Sequence, residues 1–249
     1  MLVSKVGDKV CFEKSHFIVY QPYPGLHLAY HAKRFRFSAH SKYQKIDIID
    51  NEAYGRMLFL DCNLQHSSYD SAIFNETLCG TAKANSVRHV LVLGGGSGQT
   101  ALALLQSRSI KRITIVEIDP LVIDACKKHI EGVKDALTDP KVRIVIGDAV
   151  EFLHAVNERF DASIIDFTEQ PFGNTDTSAL KRLYSDIKEK CMGRCSQYLG
   201  SSVDLAVNRR QRNQTITLCK QILSDVRIEQ TFIPSFGAPH VFIHAGYGK

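Results

Sequence analysis

The chain has 249 residues, 44% of them hydrophobic and 23% charged, with a formal net charge of +5. That balance excludes fibrous repeats and wholesale disorder, and it fits one large domain or one medium domain with a small appendage. No apolar run approaches the roughly 18 residues of a bilayer span, and Lys5, Asp8 and Lys9 interrupt the start too early for a secretory leader.

Residues 1–66 are rich in β-branched and aromatic side chains broken by turn signals at Pro22, Pro24-Gly25 and 51–55. They predict short strands at Val10–Tyr20, Leu26–Ala32, Lys33–Ala39, Tyr43–Asp50 and Arg56–Asp61, and so a small N-terminal antiparallel β domain. From about residue 68 the period changes. A helix is expected over Ser71–Gly80, after which strands and helices alternate. The strands, His89–Leu93, Arg112–Val116, Val142–Ile146 and Ala162–Ile165, are nearly all apolar, as parallel strands buried on both faces must be. The helices between them are Thr100–Gln106, Pro120–Ile130, which Asp119 and Pro120 can start, and Ala149–Val156. Helices at Leu180–Lys190 and Gln214–Ser224, with strands at Tyr198–Val203, Val226–Phe232 and His240–His244, complete an α/β doubly wound, Rossmann-like domain over 67–249. Such a sheet binds ligands at the carboxyl ends of its strands.

Seven cysteines at this density imply reduced thiols and a cytoplasmic location. Cys191 and Cys195 lack the second close pair of a zinc site, so no metal is expected. Lys and Arg are dispersed apart from Lys33-Arg34 and Arg209-Arg210-Gln211-Arg212. They read as solvated faces, with neither nucleic acid nor membrane as a partner.

The strand at Val90–Leu93 runs into Gly94-Gly95-Gly96-Ser97-Gly98 and then a helix. Glycines allow a sharp turn and a close backbone approach, and the helix start adds a positive pole. Glu117 ends the second strand, where an acid grips ribose hydroxyls; Asp148 ends the third, where an acid can accept from an adenine amino group. No Gly-Lys-Ser/Thr follows, so a phosphate clamp is not expected. These strand ends describe an adenosine site of the S-adenosylmethionine type. The alternative for Asp148 is a plain helix cap.

Together, Gly94–Gly98, Val116-Glu117-Ile118-Asp119, Gly147-Asp148-Ala149 and Ile164–Pro171 resemble the polyamine aminopropyltransferases, the spermidine and spermine synthases. Tyr43-Gln44, Gly55–Asp61, Leu64-Gln65 and Asp70 are similar to that family's substrate gate. Val122–Lys128 and Ile233-Pro234-Ser235-Phe236 lean towards spermine synthase. The resemblance covers about residues 35–249. It implies decarboxylated S-adenosylmethionine as co-substrate, a polyamine acceptor, methylthioadenosine as product and a homodimer. Carried over by position, Asp166 is the catalytic acid/base and Asp70 the ligand of an ammonium. Gln44, Gln65, Gly94, Gly96, Ser97, Glu117 and Asp148 meet the donor, while Tyr43, Glu76, Glu169 and Phe236 meet the acceptor. Plainer readings stand beside these: strand-end or helix caps for Asp166 and Asp70, core aromatics for Tyr43 and Phe236, a surface position for Glu76.

The chain also departs from the family pattern. Ser97 stands where the family's glycine loop carries an Asp, Gln99 replaces its last Gly, Glu169 replaces a second Asp, and Phe236 a Tyr. The loop Asp is expected to meet the donor's aminopropyl ammonium, so its loss removes a charged hydrogen bond and also a repulsion against the carboxylate of intact S-adenosylmethionine. Three readings follow: an aminopropyltransferase, a methyl- or alkyltransferase using S-adenosylmethionine, or a synthase-like subunit without catalysis.

Overall fold

The computed structural model describes residues 2–6, 9–13, 16–23, 26–84, 86–167, 177–192, 194–203 and 206–246. The described residues of the N-terminal segment pair in antiparallel ladders. Strands β1 (Leu2–Val6) and β2 (Lys9–Glu13) pair as one hairpin, and β3 (Phe17–Tyr23) and β4 (Leu26–His31) as another. A four-stranded meander follows: β5 (Arg34–His40), β6 (Lys45–Asn51), β7 (Gly55–Leu60) and β8 (Asn63–Ser67). The expected strand Val10–Tyr20 is two strands, because the polar run after Glu13 offers no apolar alternation and the chain turns at His16. β1 and β8 go beyond the sequence expectation. β8 carries one apolar residue, Leu64, and lacks the β-branched signature of a strand.

After α1 (Ser71–Cys79) come β9 (His89–Gly94), α2 (Gln99–Leu105), β10 (Arg112–Glu117), α3 (Pro120–His129), α4 (Val133–Thr138), β11 (Val142–Ile146), α5 (Ala149–Ala155) and β12 (Ala162–Asp166). The chain ends with α6 (Thr177–Lys190), β13 (Arg194–Ser201), α7 (Ala206–Ile222), β14 (Arg227–Ile233) and β15 (Ala238–Ala245). Strand order in the seven-stranded sheet is β11-β10-β9-β12-β13-β15-β14, with the first five parallel and β15 antiparallel to both its neighbours. α7 starts at Ala206, not Gln214, because its first turns (Arg209, Arg210, Arg212, Asn213) are polar and hide the helical period. α4 is a two-turn helix of mixed polarity, too short to read from spacing.

Consecutive residues of β9 are buried on opposite faces. Val90 and Val92 join Ala101, Leu104, Val122 and Ile123 in one core, and Leu91 and Leu93 join Leu153, Leu183, Ile187 and Leu218 in the other. That double burial is why β9, β10 and β12 read as nearly unbroken apolar runs; β11, expected to be buried the same way, lies at the sheet edge with no fully buried residue. A third core ties the N-terminal sheet to the late turn Pro234–Phe236: Met57, Phe59, Leu64 and Tyr30 pack with Ile233 and Phe236. Arg56 donates to Asp50 and to the His129 carbonyl at the end of α3, fastening β7 to the sheet domain. No helix among the described residues is long and apolar enough to cross a membrane.

Candidate functional site

β9 leaves for β10 on one side and pairs with β12 on the other, which makes their carboxyl ends the switch point of the sheet. There Gly94 lies directly opposite Asp166. Gly94 has φ +85°, and a Cβ on it would lie 2.5 Å from the Asp166 carbonyl oxygen, so only glycine fits. A Cβ on Gly96 would lie 2.6 Å from Glu117 Oε2, so a side chain there would have to displace that carboxylate. A cavity of about 420 Å³ opens over these strand ends, roofed by β7, β8 and the loop before α1.

Glu117 reaches back under the glycine loop. Its Oε2 accepts from Gly96 N (2.9 Å) and its Oε1 from Asp119 N (2.9 Å). Burial raises its pKa, opposed by those backbone N–H groups. Asp148 also lines the cavity, while its Oδ1 caps α5 through Val150 N (2.8 Å) and Glu151 N (2.9 Å). It therefore fills the cap position and still faces the ligand space. Ser97 Oγ accepts from Gln99 N at 3.5 Å, and Gln99 is buried in the cavity wall.

Asp166 stands on the cavity floor with Oδ2 accepting from Thr100 Oγ1 at 2.7 Å. Burial raises its pKa and the Thr100 bond holds it back. Asp70 is 1% exposed. It occupies the residue before α1, yet its side chain does not cap that helix. Its Oδ2 accepts from Ser235 N (2.6 Å) and its Oδ1 from Ser235 Oγ (2.9 Å), while Tyr30 Oη donates to the Ser235 carbonyl (2.6 Å). The cap reading of Asp70 gives way to a tertiary tether 165 residues long in sequence.

Gln44 and Gln65 both line the cavity. Gln44 Nε2 donates to Asp119 Oδ2 (3.1 Å), which also accepts from Ser41 Oγ (2.6 Å), and Gln65 Nε2 donates to the Asn63 carbonyl (3.3 Å). Tyr43 is at the mouth and 42% exposed, so it is no core aromatic. Phe236 is buried, stacked on Phe74 with ring centroids 6.2 Å apart, and still contributes to the cavity wall. Glu76 is not brought to the cavity: it sits on the exposed face of α1, ion-paired with Lys83 at 2.9 Å. Glu169 lies outside the described residues. Sequence reasoning missed Thr100, Ser235, Asp119, Asn75 and His66. Ser235 and Asp119 lie within quoted motifs, Asp119 being read there only as a helix cap, and Thr100 lies just beyond the glycine loop, so position offered a signal for those three; nothing in the spacing offered one for Asn75 and His66.

Five carboxylates line the cavity, from Asp61, Asp70, Glu117, Asp148 and Asp166, and among its described lining residues there is no Lys or Arg. Such a wall suits a cationic ligand.

Comparison with known proteins points the same way. The family model described as Spermine/spermidine synthase domain matches residues 67–246, and that described as Spermidine synthase tetramerisation domain matches residues 16–68. A polyamine aminopropyltransferase of Sulfurisphaera tokodaii is 30% identical over 209 residues, 82% of this chain and 68% of that protein. One from Buchnera aphidicola is 29% identical over 234 residues, covering 93% of this chain and 79% of the relative. Across such relatives the aligned share of the other protein runs from 51% to 79%. Spermidine synthase from Thermotoga maritima superposes with a TM-score of 0.81 at 22% identity, covering 92% of this chain and 78% of that one, which establishes the fold. With a family match across most of the chain and a relative at 30% identity over 82% of it, this chain belongs to the spermine/spermidine synthase family.

Proposed function

We propose that the chain is an aminopropyltransferase that moves an aminopropyl group from decarboxylated S-adenosylmethionine to a polyamine acceptor. The observation that carries this reading is the cavity wall of five carboxylates without a Lys or Arg among its described residues. Intact S-adenosylmethionine brings a carboxylate that would meet like charge there, whereas the decarboxylated donor and a polyamine are purely cationic. This wall favours aminopropyl over methyl transfer even though Ser97 replaces the loop Asp.

In this reading Glu117 holds the ribose hydroxyls and Asp148 the adenine side, with Gln44 and Gln65 beside the donor. The donor supplies a carbon activated by a sulfonium. Asp70 holds an ammonium with a carboxylate already fixed by Ser235. Asp166, whose pKa burial raises, orients the attacking nitrogen and takes its proton as the new C–N bond replaces the C–S bond and methylthioadenosine leaves. Tyr43 and Phe236 flank the acceptor, with Glu169 assigned by position alone. In this reading residues 1–66 form an N-terminal β-strand domain, and residues 67–249 the Rossmann-like adenosyl-donor-binding catalytic domain. The N-terminal match to a tetramerisation domain supports assembly into an oligomer, and we infer a homodimer as its unit; a monomer at micromolar concentration in sedimentation would refute that. Buried, unpaired cysteines such as Cys79, Cys126 and Cys195 fit a reducing cytoplasm.

The test is direct. Purified chain with decarboxylated S-adenosylmethionine and spermidine or putrescine should release methylthioadenosine in step with an aminopropylated amine. Methylated amine from S-adenosylmethionine instead would replace this reading, and binding without turnover would leave a non-catalytic subunit.

A further inference from the structure

The pairing of β7 with β8 shifts register between Leu58 and Phe59. Leu58 lies opposite His66 and Phe59 opposite Leu64, so Gln65 is an extra, bulged residue. In a regular strand Leu64 and His66 would share a face. The bulge separates them. Leu64 goes with Phe59 into the N-terminal core, and His66 turns to the face of Leu58 and Leu60, both of which line the cavity. His66 lines it too, at 5% exposure.

Among the described residues neither ring nitrogen of His66 has a hydrogen-bond partner, and both are sealed from water. Natural cores rarely leave two polar atoms of one side chain unpaired, and a group that does so beside a ligand cavity calls for a role. Burial holds the imidazole pKa down at about 4, with the Arg56 charge acting in the same direction, so the ring is neutral and offers one donor and one acceptor.

The five carboxylates explain how ammonium groups are held, and they leave one requirement unmet. The nitrogen that attacks must be unprotonated, whereas a carboxylate beside it favours its charged form. A neutral imidazole can accept an amine N–H without that bias. We propose that His66 is a substrate-contacting residue whose ring turns towards the cavity and accepts a hydrogen bond from an N–H of the acceptor amine, setting which aliphatic amine is taken. This rests on the aminopropyltransferase reading and adds a residue to it. An amine N–H placed in the cavity would give the ring the partner it lacks within the protein.

The test uses His66→Phe, which keeps the ring's bulk and removes both nitrogens, and His66→Asn, which keeps a polar group. His66→Phe should melt no lower than wild type and bind methylthioadenosine within about twofold of it. Its KM for spermidine or putrescine should rise roughly tenfold or more, with His66→Asn between. Unchanged KM values for both amines in an active His66→Phe would overturn the proposal. If His66→Phe fails to fold, His66→Asn decides: a native melting point with unaltered KM overturns the proposal, and a raised KM upholds it. Failure of the parent reading looks different, because wild type would then make no aminopropylated amine. In that case the same comparison, by titrating spermidine into the methylthioadenosine complex, still judges His66: equal affinity for wild type and variant overturns it, and weaker binding by the variant upholds it.

Discussion

Glu117→Ala separates the structural from the ligand-binding work of one carboxylate. In the ligand-free chain that carboxylate accepts from Gly96 N and Asp119 N, each at 2.9 Å. Removing it strands both N–H groups in a cavity that water can enter. The low end of the penalty applies, about 1 kcal/mol each, or about 2 kcal/mol of stability. For a chain of this length that lowers the melting point by about 4–8 °C. In the proposed complex the same carboxylate also receives two ribose hydroxyls. Two hydrogen bonds to a charged acceptor, at about 1.5 kcal/mol each, make about 3 kcal/mol, or about a hundredfold in affinity. Glu117→Gln keeps one good acceptor and turns an amide N–H₂ on one backbone donor, so about tenfold weaker binding is expected. Calorimetric titration of methylthioadenosine, with a thermal melt of each variant, measures both effects. A folded Glu117→Ala that binds methylthioadenosine as wild type does would refute the adenosine-site assignment.

Asp166→Asn should retain methylthioadenosine binding and lose transfer by about 10²-fold or more, as expected for removal of a proton acceptor. Its stability carries a second signature. Burial raises the Asp166 pKa in the fold, so the stability that comes from holding it protonated is complete below the unfolded value near 3.8 and is lost as pH rises through the folded value. The variant should gain on wild type in denaturant titrations as pH rises from the unfolded value through the folded one; a constant or falling difference would remove the burial argument. Ser97→Asp should tighten the decarboxylated donor and weaken S-adenosylmethionine, each by about 1–3 kcal/mol, because the new carboxylate attracts an ammonium and repels a carboxylate. Equal weakening of both donors would place Ser97 away from the aminopropyl end.

Much of this protein is written in local pattern. Parallel strands buried on both faces are nearly all apolar, so β9, β10 and β12 announce themselves within a residue or two of their ends, while β11 shows itself by its apolar run although it lies at the sheet edge. The glycine loop, Glu117 and Asp148 could be placed because strand ends in a doubly wound sheet converge on one crevice wherever the strands fall in sequence. Local pattern also misled. Glu76 shares α1 with the residues that face the cavity, and one helix turn suffices to send it out to Lys83.

Sequence by itself determined the α/β class, the glycine loop with Glu117, Asp148 and Asp166 at its strand ends, and the family. Tertiary structure alone decided which acids share a cavity, that Asp70 is held by Ser235 rather than by its own helix, and that a bulge at Gln65 turns His66 inward. Periodicity reports which face of an element is apolar, an interaction among residues a few positions apart. A tether across 165 residues, or a one-residue slip between neighbouring strands, depends on how separate elements meet. That meeting is fixed by packing of the whole chain, which leaves no trace in the spacing of residues around any one of them.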